Sequence, residues 1–113
     1  MGPATSRGVA CWEGRGVRQT DAEAVRWFRL AAEQGYASAQ YNLGYAYGMG
    51  EGVPKDYVQG HMWINLAASR LTGEDREQAV EARDSVAQLM IPAKVAEAQR
   101  LAREWDAAHP RES

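Results

Sequence analysis

The stretch Leu30-Ala31-Ala32, with Trp27 three residues before it, returns 36 residues later as Leu66-Ala67-Ala68 with Trp63 before it. The glycine-rich stretch Gly14-Arg15-Gly16-Val17 returns at the same spacing as Gly50-Glu51-Gly52-Val53. A fixed period of about 20 to 50 residues is typical of a solenoid, in which each unit buries its apolar face against the next unit. The repeat therefore predicts the architecture of the chain before any chemical motif is considered.

Helix-forming residues and helix-ending signals together predict five helices. Thr20 and Asp56 are N-cap candidates, and each has Glu or Gln three residues later, as in a capping box. Gly35 stands where the end of a helix favours a left-handed residue, and Pro92 suits a first helical position although Ile91 before it is a poor N-cap. The predicted helices are 21–34, 38–48, 57–70, 75–89 and 92–107.

The apolar residues predict how these helices pack. Small alanines allow close helix packing, and we expect Trp27 and Trp63 to fill the space between units. In the fourth helix, Ala79, Ala82, Val86 and Leu89 form an apolar stripe at spacings of three and four. Gly60 replaces the alanine of the first unit and should loosen its helix by up to about 1 kcal/mol if the site is exposed. We expect a longer connection, 69–74, between the third and fourth helices.

Composition excludes several classes of protein. The chain has 113 residues, a formal net charge of −2 and no basic tract, which is unlike a nucleic-acid-binding domain. It contains no long apolar run to span a bilayer. Cys11 is the single cysteine, so neither an intrachain disulfide nor a cysteine-based zinc site can form. The N-terminus lacks the apolar stretch of a signal peptide, which predicts a cytoplasmic location, or a periplasmic one if the true N-terminus is missing.

No residue pattern indicates catalysis, a metal site or a cofactor site. His61 lies on an apolar helix without the partner spacing of a metal ligand, so we expect it to be packed rather than functional. Glycines 48–52 lack the strand and the Gly-Lys-Ser/Thr sequence of a phosphate loop, and we interpret them as a turn between units. Capping accounts for most of the carboxylates that could suggest a site, which are Asp21, Asp56, Glu74, Asp75 and Asp84.

The segment from Asp21-Ala22-Glu23-Ala24 to Tyr41-Asn42-Leu43-Gly44 resembles the Sel-one-like repeat, a relative of the tetratricopeptide repeat. Residues 50–57 resemble its inter-repeat turn, and residues 90–105 resemble the C-terminal extension of many bacterial members. The resemblance implies an all-α, right-handed αα superhelix that serves as a protein–protein interaction scaffold, often in bacteria, and it implies no catalytic residues. Some cysteine-rich relatives are credited with β-lactamase activity, but this chain lacks their paired cysteines.

These observations predict one short solenoid. Its expected parts are a partial preceding repeat or disordered N-terminus (1–16), a first full repeat (17–52), a modified second repeat (53–90), a capping helix (91–108) and a tail (109–113). The chain is expected to be a module of a longer repeat protein that binds another protein or the rest of its own solenoid. Weak self-association is expected through Val9, Cys11 and Trp12.

Tyrosines are the candidate partner-contacting residues, because they supply contact area and a hydroxyl at modest entropic cost. Packing between repeats is the alternative for each of them, and residue by residue it is the favoured one. The alternatives left open are a hydrolase of the β-lactamase type and an accessory domain without its own partner. The candidates are Tyr36, Tyr41, Tyr45 and Tyr57.

Overall fold

Five α-helices form the described part of the chain. A computed structural model describes the backbone of residues 14–110 and the side chains of residues 21–110, so the self-association predicted at Val9, Cys11 and Trp12 falls outside the described residues. The third helix lies at the centre and packs against the second, fourth and fifth, while the first packs mainly on the second. The helices are α1 (Gly14–Glu33), α2 (Ala37–Met49), α3 (Tyr57–Arg70), α4 (Gly73–Ala87) and α5 (Pro92–Ala108).

Most predicted helix ends are confirmed. α3 has its predicted bounds, and the backbone N–H of Gln59 donates to the Asp56 carboxylate over 3.1 Å, as an N-cap requires. Gly35 is left-handed, with φ of +96°. Pro92 opens α5, and Ile91 contributes no side-chain cap.

The predicted start of α1 is wrong. The backbone is helical from Gly14, so Thr20 cannot be an N-cap, and Asp21 also lies inside the helix. The matching turn later in the chain packs closely on α1: a Cβ on Gly52 would lie 2.6 Å from the carbonyl oxygen of Asp21. Glycine permits a turn but does not impose one.

The connection between α3 and α4 is shorter than predicted. Only Leu71 and Thr72 separate the two helices, and α4 begins and ends two residues earlier than expected. Glu74 and Asp75 lie in its first turn, where negative charge is favourable. Leu89 therefore lies beyond the helix and is exposed rather than part of the predicted apolar stripe.

Trp63 is a core residue, but the same prediction for Trp27 is wrong. The Trp63 side chain is 3% exposed, and its ring meets Trp105 edge to face with 5.7 Å between ring centroids. Trp27 is 70% exposed. The cause is the position of the helices: α5 covers this face of α3, whereas no described helix covers the equivalent face of α1.

α2 and α3 cross at glycines that let their backbones approach closely. A Cβ on Gly44 would lie 2.6 Å from Ile64 Cγ1 and 2.8 Å from the carbonyl oxygen of Gly60. The loss of helix stability expected at Gly60 assumed that this residue is exposed. Gly60 is instead buried, and its own Cβ would lie 3.1 Å from the Gly44 carbonyl oxygen. The crossing therefore depends on residues without side chains.

Side-chain hydrogen bonds that recur at the 36-residue period connect the two helices of each hairpin. Gln40 Nε2 donates to the Ala32 carbonyl over 3.1 Å, and Arg76 Nη1 donates to the Ala68 carbonyl over 2.7 Å. These bonds fix α2 on α1 and α4 on α3 at equivalent points.

A second pair of bonds also recurs at this period. The donor lies on the first helix of the hairpin in one unit and on the second helix in the other. Arg29 on α1 donates to the Tyr47 hydroxyl on α2. One period later, Arg83 on α4 donates to Asn65 Oδ1 on α3 over 3.1 Å. The contact is kept although the residue types change, and it sets the directions of α2 and α4, which form the walls of the surface described below.

The two tryptophans provide a matched test of the packing. We expect Trp63→Ala to lower the free energy of unfolding by about 3–5 kcal/mol, the usual cost of truncating a buried aromatic side chain. Trp27→Ala should change it by less than about 0.5 kcal/mol, as for exposed positions in general. Urea unfolding of both variants measures the two values, and equal losses would contradict the packing described here.

The glycine crossing provides a second test. Gly44→Ala should destabilise the protein by about 1–3 kcal/mol, because the added methyl group overpacks the α2–α3 contact. Gly48→Ala on the same helix is the control: its Cβ would meet Val86 Cγ2 at an ordinary 3.7 Å. Helix propensity then predicts no loss, or a gain of up to about 1 kcal/mol. A Gly44→Ala variant as stable as the Gly48→Ala variant would exclude the close crossing.

Candidate protein-binding surface

Three of the four candidate tyrosines lie along one side of the molecule. Tyr41 and Tyr45 occupy successive turns of α2, and Tyr57 opens α3. Tyr45 and Tyr57 line the same groove, and Tyr41 lines a cleft that also lies between α2 and α4. Tyr36 is exposed but lines a separate cleft. The structure thus places three of these residues on one side and separates the fourth.

The groove, called the α2–α4 groove below, exists because α2 and α4 pack on α3 but barely touch each other. Its floor is formed by Gly44, Gly48 and Ile64, the residues of the helix crossing and their neighbour. Its volume is about 300 Å³, the lower end of the range for ligand pockets. The residues lining it are Gly44, Tyr45, Gly48, Met49, Tyr57, Ile64, Ala82, Ser85, Val86 and Leu89.

The walls of the α2–α4 groove expose large apolar side chains. The exposed fractions of the Tyr45, Met49 and Leu89 side chains are 47%, 53% and 63%. Tyr57 is half-buried, and the Lys55 ammonium group lies 5.7 Å from its ring centroid. Single exposed apolar residues are common on protein surfaces, whereas adjacent ones lining a groove are a frequent feature of interaction sites.

The cleft beside Tyr41, called the Tyr41 cleft below, is smaller and more polar. It has a volume of about 170 Å³. The Tyr41 ring is half-buried against the cluster formed by Ile64, Ala68 and Ala79, so this tyrosine both packs and borders the cleft. The residues lining the cleft are Ser38, Tyr41, Asn42, Leu71, Asp75 and Gln78.

Tyr36 belongs to a cleft between the α1–α2 turn and the end of α5. Trp105 and His109 stack in it with 3.9 Å between centroids, and Arg70 lies over the Trp105 ring at 5.3 Å. Arg70 also pairs with Asp106 over 3.0 Å, which ties α3 to α5. These contacts hold the terminal helix in place, so we interpret this cleft as part of the packing of α5.

Met49 and Leu89 are groove residues that the sequence does not single out. Met49 follows the predicted end of the second helix, and Leu89 belongs to a stripe predicted to be core. Their common signal is an apolar residue at the end of a helix or just beyond it. That signal is weak, because the relation between α2 and α4 is needed to bring the two residues together.

His61 is packed, as predicted. Its side chain is 2% exposed, and its Nδ1 has no hydrogen-bond partner within the described part of the chain. Burial lowers the pKa of His61 below its ordinary value of 6.5; the charge of Arg83 lowers it further, while Asp84 opposes the shift. A histidine enclosed in this way cannot reach a substrate as a general base.

The described residues provide no site for metal chemistry. Between residues 21 and 110, no three His, Cys, Asp or Glu side chains come together in a way that could hold a metal ion. In the same part of the chain, no helix is long and apolar enough to cross a bilayer.

The chain belongs to the Sel1 repeat family. The family model matches residues 6–36 and 37–70, more than half of the chain, and this confirms the resemblance to the Sel-one-like repeat. The two matched segments meet at the α1–α2 turn, whereas the glycine-rich turns suggest units of residues 17–52 and 53–90. The repeat is the same, but its units are taken to begin at different points.

Two relatives place the family match in context. A solved structure of c5321, a protective antigen of uropathogenic Escherichia coli with an SLR fold, superposes with a TM-score of 0.71 at 31% identity. That match covers 90% of this chain and 21% of the antigen. The chitin synthase regulator SKT5 of Malassezia restricta is 40% identical over 58 residues, which are 51% of this chain and 4% of that protein. The αα superhelix is confirmed, and the chain spans about a fifth of one relative and a small part of the other.

The buried histidine predicts a dependence of stability on pH. Because the pKa of His61 is lowered in the folded state, the unfolded chain binds a proton first as the pH falls below 6.5. The free energy of unfolding should therefore be highest above that pH and should fall as the pH decreases toward the folded-state pKa.

His61→Val, which introduces the residue of the equivalent position in α1, should reduce this loss between about pH 7.5 and pH 5. Thermal or urea unfolding at several pH values measures it. His109→Ala removes the other, exposed histidine and serves as the control. A wild type and a His61→Val variant that lose the same stability over this range would contradict the assignment.

Proposed function

We propose that this chain is a protein-interaction module whose contact surface is the α2–α4 groove together with the Tyr41 cleft. The observation that carries the proposal is the exposure of Tyr45, Met49 and Leu89 along one groove. A solenoid of this family binds by presenting a rigid surface, and a few aromatic anchors in pockets supply most of the binding energy of such interfaces.

The rigidity of the walls supports this role. Gln40 and Arg76 fix each wall helix to the core at equivalent points, and the glycine crossing leaves little freedom between α2 and α3. A surface that is already in its binding conformation loses little entropy on association. The groove therefore fits a scaffold that holds a partner in a defined place.

A scaffold without catalytic activity fits this site better than a hydrolase does. The most plausible acid–base residue, His61, is enclosed, and its charged neighbours Arg83 and Asp84 lie in an ion pair on α4. The groove itself is almost entirely apolar. General acid–base catalysis requires a titratable group within hydrogen-bond reach of the substrate. Among the described residues that line the groove, the titratable ones are Tyr45 and Tyr57, and none is Asp, Glu, His, Lys or Cys.

The proposed repeat units are 17–52 and 53–90, followed by the capping helix 91–108. The recurring contacts support this division, because the Arg29–Tyr47 bond lies inside the first unit and the Arg83–Asn65 bond inside the second. The solved neighbour from Escherichia coli, which matches 90% of this chain, supports a bacterial origin. The small share of both relatives that is matched supports a module within a longer assembly.

Affinity capture with matched variants tests the proposal. The wild-type chain and a Tyr45→Ala/Tyr57→Ala variant are used to capture proteins from the source organism, and captured proteins are quantified by mass spectrometry. We expect one or a few proteins to be retained by the wild type and reduced at least about tenfold by the variant, as for loss of two interface anchors.

Tyr36→Ala is the control, because it removes an exposed tyrosine outside the groove. Circular dichroism and thermal unfolding establish that all three proteins are folded. Equal capture by the wild type and the groove variant would exclude the groove, and no specific capture by any of them would favour the accessory domain without its own partner.

A further inference from the structure

We infer that the α2–α4 groove selects a polypeptide segment that combines apolar side chains with a basic residue at the Tyr41 end. The inference rests on the proposed function and adds the chemistry and the orientation of the partner. It follows from the different charges of the two walls and from the different charges at the two ends.

One wall of the groove is uncharged and the other is acidic. α2 contains no charged residue, whereas α4 contains five carboxylates and two arginines. Both arginines hydrogen-bond to α3: Arg76 donates to the Ala68 carbonyl and Arg83 to Asn65. The five carboxylates are all exposed, and they are Glu74, Asp75, Glu77, Glu81 and Asp84.

Most of these carboxylates have no cationic partner. Asp84 pairs with Arg83 over 3.2 Å. Within the part of the chain whose side chains are described, no lysine or arginine pairs with Glu74, Asp75, Glu77 or Glu81. A concentration of unpaired charge beside an apolar groove attracts a partner of opposite charge and disfavours one of like charge. The α4 wall is therefore complementary to a cationic partner.

The ends of the surface differ in charge and so define an orientation. Asp75 lines the Tyr41 cleft, together with Asn42 and Gln78. At the other end, Lys55 lies over the Tyr57 ring. A bound segment is thus attracted with its basic residue at Asp75 and its apolar residues between Tyr45 and Leu89.

The dimensions of the surface favour inserted side chains over a docked domain. The groove has a volume of about 300 Å³ and the Tyr41 cleft about 170 Å³. Spaces of this size hold individual side chains, one or two apolar ones in the groove and the stem of a lysine or arginine beside Tyr41. Such stems pack on apolar surface while their charged ends meet carboxylates.

A phage library of random 12-residue peptides, panned on the purified full chain, is the probe for this inference. We expect enriched sequences to share two or more large apolar residues and a lysine or arginine on one flank. A representative peptide is then synthesised, and its affinity is measured for the wild type and for the variants Tyr45→Ser, Asp75→Lys and Glu33→Lys.

Tyr45→Ser should weaken binding at least tenfold. Asp75→Lys should weaken it about fivefold to tenfold at low salt and less at high salt, as for charges at the rim of an interface. Glu33→Lys makes the same charge change outside the groove and should have little effect. A peptide whose basic residue is replaced by glutamate should bind Asp75→Lys better than it binds the wild type.

The outcomes separate the inference from the function on which it rests. Peptides that depend on Tyr45 but are insensitive to Asp75→Lys, or that lack basic residues, would overturn the inference and leave the binding groove intact. Failure to enrich peptides would overturn the inference alone, because a folded partner could still bind the groove, whereas binding unaffected by Tyr45→Ser would overturn both. Sedimentation that reveals a dimer lost in Tyr45→Ser would identify a second copy as the occupant and would also overturn the inference.

Discussion

The close crossing of α2 and α3 is the constraint on which the rest of this structure depends. At Gly44 the α3 backbone is too near for any side chain, and at Gly60 a Cβ would lie a tight 3.1 Å from the Gly44 carbonyl oxygen. Because interiors are packed as densely as organic crystals, a methyl group at this point cannot be absorbed without moving a helix. The position of α2 relative to α3 therefore depends on glycine, which has no side chain, at this contact.

The binding groove is a consequence of that constraint. α4 is fixed on α3 independently of α2, by Arg76 and Arg83, so α2 and α4 are held apart over a shared floor. Two floor residues of the groove, Gly44 and Ile64, also belong to the crossing, which links the stability of the core to the shape of the surface. A change that moved α2 outward would alter both at once.

Local signals in the sequence predict most of the helices and part of the core. Asp56 caps α3, Gly35 follows α1 in a left-handed conformation, and Trp63 fills the core. The residue type alone predicts each of these roles. Trp27 shows the limit of this reasoning. It has the same sequence context as Trp63 but lacks the covering helix, and coverage depends on a neighbour rather than on the repeat.

The candidate site was predictable only in part for the same reason. Tyr41, Tyr45 and Tyr57 follow from residue type, but the groove that brings two of them together with Met49 and Leu89 depends on the separation of α2 and α4. Tyr36 has the same chemistry and lies elsewhere. The acidic wall also needs the structure, because the sequence does not show that Arg76 and Arg83 hydrogen-bond to α3 rather than pair with most of the neighbouring carboxylates.

The most direct test of the central claim is a chemical-shift map of the isotopically labelled chain as a captured partner, or its binding segment, is added. If the α2–α4 groove is the contact surface, the largest changes will occur at Tyr45, Met49, Tyr57 and Leu89. The cleft around Tyr36 and Trp105 will change little. Changes concentrated at Tyr36 and Trp105, with an unperturbed groove, would contradict the account.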